Sequence, residues 1–154
     1  MIRLFFAALL LATLPAVLEA RADAPTGYWL TEKKGIVVNL YECGEGALCG
    51  RTVWLKKPRW KDGTLRIDER NPDPALRARP WCGIEVITGL RPDGDGGWTD
   101  GLVYDPKTGE RFDFDLSPDG DGLRARGYLG VPALGKKEHW TPADLSGLTL
   151  CDPV

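Results

Sequence analysis

Two settings in this chain space acidic side chains so that they could do chemistry. The sequence Pro-Asp-Gly-Asp-Gly occurs twice, at Pro92–Gly96 and at Pro118–Gly122. Alternating aspartates in a glycine-rich loop supply the hard oxygen donors that calcium takes. Each loop offers only a pair, Asp93 with Asp95 and Asp119 with Asp121, and neither carries the closing bidentate Glu. Hairpin turns account for them better, because Asp and Gly tolerate the positive φ that such turns need. No metal and no cofactor are expected. The second setting is Asp68-x-x-Asn71-x-Asp73, followed by Arg79. Here the expected work is structural: Asp73 caps a short turn opened by Pro74, Asp68 pairs with Arg79, and Asn71 bonds backbone.

Nucleophilic catalysis has little to draw on. The chain holds one histidine, His139, and two serines, Ser117 and Ser146, neither in a Gly-x-Ser-x-Gly setting. Carboxylates are plentiful, but nothing singles out two of them as an acid and base pair. Six tryptophans are many for a domain of this size. Trp29 and Trp98 read as core. Trp54 and Trp60, with Arg79 and Tyr104, are the candidate ligand contacts, since aromatic faces with a polar handle suit a sugar or a lipophilic molecule.

The chemistry must be placed in a compartment. Met1-Ile2-Arg3, an apolar stretch from Leu4 to Leu18, and Glu19-Ala20-Arg21-Ala22 have the three parts of a bacterial secretory signal. The stretch is too short to cross a bilayer and contains Pro15, so no membrane span is expected after removal. Cleavage after Ala22 leaves residues 23–154 as a single domain, periplasmic or extracellular. Four cysteines fit that compartment as disulfides. Cys43–Cys49 is the expected short bridge, because Gly44 and Gly46 make its loop pliable, and Cys82–Cys151 follows. Zinc is the weaker reading, for want of a Cys-x-x-Cys pair and a second histidine.

Charge narrows the partners. The exported part holds 21 acids and 18 bases, a balance that argues against nucleic acid. Locally, Arg51–Pro80 is basic and Trp81–Gly122 acidic. The basic segment could meet an anionic partner such as a lipid headgroup, or the two segments could face each other as solvated loops. The residues carry no signal for an oligomeric state.

Short runs of alternating or β-branched residues recur about every dozen positions, closed by Gly, Pro, Asp or Asn, the mark of an all-β sandwich or barrel. Eight strands are predicted: Gly27–Thr31, Ile36–Glu42, Leu48–Lys56, Gly83–Leu90, Trp98–Tyr104, Arg111–Leu116, Gly122–Leu129 and Gly135–Trp140. In the second, Ile36, Val38 and Leu40 should face one way and Val37, Asn39 and Tyr41 the other. In the sixth, Phe112, Phe114 and Leu116 alternate with Asp113 and Asp115. Tight turns join most neighbours, so an eight-stranded up-and-down antiparallel barrel is the simplest closure, with a sandwich as alternative. Two segments break the rhythm: the long connection Lys57–Trp81, and a capping-box pattern at Thr141–Asp144 that should open another short turn.

A family resemblance rests on motifs in order along the chain. They are Gly27-x-Trp29, Ile36-x-x-x-x-Tyr41-x-Cys43, Leu48-Cys49-Gly50-Arg51, Asp68-x-x-Asn71-Pro72-Asp73 and Arg79-x-x-Cys82-Gly83. Then come Gly97-Trp98-x-x-Gly101-x-x-Tyr104-Asp105-Pro106, Gly109, Arg126-Gly127-Tyr128, Gly135 and His139-Trp140-Thr141. The string resembles the bacterial exported family called domain of unknown function 2147, over Gly27 to Thr141. The resemblance implies a lipocalin-like, calycin-type barrel with no assigned activity. Gly27-x-Trp29 is similar to the lipocalin signature whose Trp closes the barrel floor. Cys151 lies beyond these motifs.

The expected function is therefore an exported small barrel that binds a small lipophilic or anionic ligand at its mouth, beneath the Lys57–Trp81 loop. The alternative is an envelope interaction module with a filled interior. An enzyme acting on envelope glycans or lipids comes third.

Overall fold

In the computed structural model, which describes residues 23–152, alternation along the chain becomes a closed antiparallel barrel. The strands are β1 (Gly27–Leu30), β2 (Ile36–Gly44), β3 (Ala47–Leu55), β4 (Glu85–Pro92), β5 (Trp98–Asp105), β6 (Glu110–Asp119), β7 (Gly122–Tyr128) and β8 (Lys136–Pro142). Each pairs with its neighbour in sequence, and β1 meets β8 through Trp29 opposite Pro142 and Leu30 opposite Thr141. The expected secretory segment, residues 1–22, lies outside the described residues. Among the described residues, no helix is long and apolar enough to cross a membrane.

The period-two pattern decides which side chains fill the interior. In β6, Phe114 and Leu116 are buried, while Asp113 and Asp115 reach outward to bonds with Gly130, Arg126 and Tyr128. In β7, Leu123 and Ala125 are buried between Arg124 and Arg126. Leu48, Leu90 and Leu116 lie in the halves of their strands nearer the β2–β3, β4–β5 and β6–β7 turns, with Leu40 at the middle of β2, and all four are under 2 % exposed. Trp98 packs beside them, so this end of the barrel is plugged. Trp29 packs against the same core and its indole N–H donates to Pro25 O at 2.9 Å, hooking the chain before β1 onto the plug.

Several expectations need correction. Ile36 and Val38 line the interior together as expected, but Val37, assigned to the other face, is buried as well; the β2–β3 register slips beside it, Val37 opposing Trp54 and Val38 opposing Thr52, with Val53 as the extra residue on β3. The capping-box segment Thr141–Asp144 opens no helical turn. Thr141 is taken up in closing the barrel against Leu30, and Asp144 instead accepts from Ser146 N in a later tight turn. A one-turn 3-10 helix over Pro132–Leu134, which the sequence did not suggest, joins β7 to β8. The expected Asp73 cap is present, its carboxylate accepting from Ala75 N at the start of the turn Pro74–Leu76.

Both expected disulfides form, Cys43–Cys49 and Cys82–Cys151. The second ties the tail to Cys82, just before β4, and Cys151 N–H also donates to Val53 O on β3 at 2.8 Å. The bonded residues are 6 and 69 positions apart, so the longer bridge restricts the unfolded chain more. Replacing Cys82 and Cys151 by Ser should cost about 4 kcal/mol in urea unfolding, and replacing Cys43 and Cys49 about 2 kcal/mol. Equal losses would contradict the assignment of the longer bridge as the principal constraint.

Candidate functional site

Antiparallel connectivity puts the β1–β2, β3–β4, β5–β6 and β7–β8 connections at the end opposite the plug. The β3–β4 connection is the long one, and its own bonds order it. Arg59 bridges Leu65 and Ile67 bridges Pro80. Asp68 N donates to Arg79 O, and Trp81 N to Arg66 O. Asp62 closes the hairpin tip by accepting from the N–H and hydroxyl of Thr64. The segment is thus a folded strap rather than a free loop.

Asp68 fixes that strap to the barrel. Its side chain is fully buried and meets donors on every side. Asn71 Nδ2 donates at 2.7 Å, Arg79 donates through Nε and Nη2 at 3.0 Å each, and the Tyr104 hydroxyl donates to the other oxygen. A buried carboxylate is tolerable only when so compensated. Tyr104 belongs to β5, so this one contact joins the strap to the barrel wall. Burial first, and its bond to Asp68 second, push the Tyr104 phenol up to about 12. At Gly109, in the β5–β6 turn, an added Cβ would lie 2.1 Å from Arg70 O, so the strap backbone presses directly on that turn.

Beneath the strap lies a cavity of about 410 Å³. Its wall is chiefly apolar, with Val38, Leu55, Val86, Ile87, Val103 and the rings of Trp81, Tyr104 and Trp140. Trp140 packs on Phe114 with ring centroids 5.9 Å apart, which forms the floor above the leucine plug. The polar groups gather at the rim, as Asp105, Lys107 and Glu138. Trp81 is held in place by Thr52, whose hydroxyl donates to Trp81 O at 2.7 Å. Its own indole N–H is buried and has no partner among the described residues.

The candidate ligand contacts separate in space. Tyr104 is on the cavity wall. Arg79 is spent on Asp68. Trp60 sits on the outer side of the strap, 43 % exposed, edge-on to Trp81 and beneath the Arg66 guanidinium at 4.1 Å. Trp54 is half-buried on β3 and does not line the cavity. Trp81 and Trp140 were not singled out from sequence as ligand contacts. Trp81 stood at the border of the basic segment, which was the one available signal. The remaining polar candidates lie elsewhere. In the first Pro-Asp-Gly-Asp-Gly turn, Asp93 accepts from Asp95 N and Gly97 N and so serves its own loop. In the second, Asp119 pairs with Arg124 and with His139 on the outer surface.

A closed eight-stranded barrel, plugged at one end and hollow at the other, is a lipocalin-type architecture. A solved structure, described as "Protein HP1028 from the human pathogen Helicobacter pylori belongs to the lipocalin family", is similar to it with a TM-score of 0.68. The two chains are 20 % identical over 82 % of this chain and 89 % of that one, a likeness that speaks to fold. The sequence profile of the family described as "Uncharacterized protein conserved in bacteria (DUF2147)" matches residues 27–142, and the chain belongs to that family. No curated protein matches the sequence.

Asp68→Ala strands Arg79 and Tyr104 and should cost about 3–5 kcal/mol, measured by urea unfolding. The folded protein holds the Tyr104 proton more tightly than the unfolded chain, whose value is near 10.0. Its share of stability is therefore complete below that pH and is lost as the pH climbs toward about 12. Tyr104→Phe should flatten the alkaline fall in melting temperature and remove one late step from the ultraviolet phenolate titration.

Proposed function

We propose that this protein is an exported lipid-binding or amphiphile-binding barrel that takes the apolar part of its ligand into the cavity beneath the strap. The observation that carries this reading is the cavity itself: about 410 Å³, walled by aliphatic and aromatic side chains and open at one end. That volume lies within the range of roughly 300–1,000 Å³ typical of small-molecule sites. An apolar chain entering it would leave water at both its own surface and the wall, which is the driving force for such binding. Asp105, Lys107 and Glu138 at the rim would meet the polar end, and the Trp81 N–H, without a partner among the described residues, offers a donor for a carbonyl or hydroxyl.

Export is supported by the secretory pattern of residues 1–22 and by two disulfides, which persist outside a reducing cytoplasm. A filled-barrel interaction module fits less well, since the void stands where its filling side chains would be.

Binding of linear fatty acids of increasing length, followed by displacement of a fluorescent analogue, tests the reading. Affinity should rise about fourfold per added methylene until the cavity is full, following about 0.8 kcal/mol per buried CH₂. Val103→Trp, which fills the void from β5, should abolish binding while the barrel remains folded. A flat dependence on chain length, or undiminished binding by Val103→Trp, would count against an internal site.

A further inference from the structure

The two ends of the barrel differ in charge as well as in closure. At the plugged end, the turns and adjoining strand end carry Glu45, Asp93, Asp95, Asp119 and Asp121. Arg91 reaches Glu45 and Arg124 reaches Asp119, leaving the other three acids without an ion-pair partner among the described residues. At the open end, Lys33 and Lys34 lie on the β1–β2 turn, and Lys57, Arg59, Lys61 and Arg66 on the strap hairpin. Lys107 stands on the β5–β6 turn. None of these bases is ion-paired among the described residues, and only Glu32 and Asp62 oppose them on the first turn and the hairpin. The basic and acidic segments therefore do not neutralise each other through these turns, which are held apart by the length of the barrel.

The open end also exposes apolar side chains. The strap covers the mouth from β3 toward the β5–β6 turn. Across from it, the β7–β8 connection leaves Leu129, Val131 and Leu134 at 71 %, 51 % and 83 % exposure. Trp60 and Leu65 on the strap hairpin are 43 % and 40 % exposed. Isolated exposed leucines are ordinary, but this group is concentrated beside the entrance of an apolar cavity and among unpaired bases.

We propose that the open end is a docking face for an anionic lipid bilayer. Leu129, Val131 and Leu134 enter the boundary between headgroups and acyl chains, and the bases of the hairpin and adjoining turns meet acidic headgroups. Neither signal is strong alone, but an apolar contact combined with a basic patch is the pairing that holds peripheral proteins on membranes. The acidic plugged end is repelled by the same surface, so the barrel arrives mouth first. The cavity then opens onto lipid rather than water. That consequence rests on the ligand reading above, whereas the docking itself does not.

Cosedimentation of residues 23–154 with vesicles tests this directly, using phosphatidylcholine alone and phosphatidylcholine mixed with phosphatidylglycerol. The protein should partition onto the anionic vesicles, and salt should release it. Lys57→Ala and Lys61→Ala should each lower partitioning about fivefold, the effect of about one basic charge near an anionic surface. The pair Leu129→Ser and Leu134→Ser should lower it at low salt as well. Asp95→Asn and Asp121→Asn, at the far end, should not weaken it. These side chains are exposed or lie on turns, so thermal melts should match the parent protein. Equal partitioning onto both vesicle types, absence of partitioning, or variants that bind like the parent would overturn the proposal. Val103→Trp separates the two readings: with its cavity filled it should still sediment with anionic vesicles, and docking would stand even if no fatty acid bound the parent protein.

Discussion

Asp68 has no exposure to solvent, so its carboxylate must be met by donors from the protein or the strap must lift to hydrate it. The donors come from two places: Asn71 and Arg79 within the strap, and Tyr104 on the barrel wall. The first pair gives the strap its own shape. The third, together with the bond from the Thr52 hydroxyl to Trp81 O, makes strap and barrel one body at the mouth. Breaking it would affect more than local geometry, because the strap carries Trp81 into the cavity wall and ends at Cys82, where the tail is tied. A buried ion pair adds little net stability compared with apolar packing, but it fixes a single arrangement. Here that arrangement is the strap held against β5 beside the cavity.

The rest of the barrel divides its work by end. Leucines and Trp98 fill the plugged end densely enough that Gly101 has no room for a side chain: an added Cβ would sit 2.6 Å from Leu90 Cγ. At the other end, Val86, Ile87 and Val103 line space instead of filling it. The same alternation of inward and outward residues thus yields packed core at one level and cavity wall at the next, with the Phe114–Trp140 pair as the boundary. Charge follows the same axis, acidic turns below and basic turns above. A chain with a near balance of charges overall is therefore strongly polarised along the barrel.

Much of this was legible from the residues. Period-two alternation in β6 and β7 marked their faces correctly, the strand bounds fell within three positions of those observed, and both disulfides paired as expected. Such features are local, or follow from short connections between neighbours. Closure itself was an inference from edge avoidance, with a sandwich as the rival, and only the β1–β8 pairing decides it. What sequence could not carry was register and volume. Val37, assigned to the outside, is buried as well, and the slip beside it rests on an extra residue, Val53 in β3, which leaves no mark on β2 alone. The cavity was equally invisible: whether Trp81 fills or lines an interior depends on the strap's fold, and that depends on Asp68 meeting a tyrosine 36 residues away. Arg79 and Trp60 were reasonable candidates by type, yet one is neutralised by that same carboxylate and the other stacks outside the mouth.

Two tryptophans on the cavity wall provide the most direct test of whether an apolar tail occupies that space. A fatty acid carrying bromine along its chain quenches indole fluorescence only over a short range. The account predicts quenching by the brominated acid and none by its unbrominated counterpart, with the effect reduced in Trp81→Phe and again in Trp140→Phe. Quenching no greater than for free indole in solution, or quenching of equal size in both variants and the parent protein, would contradict it.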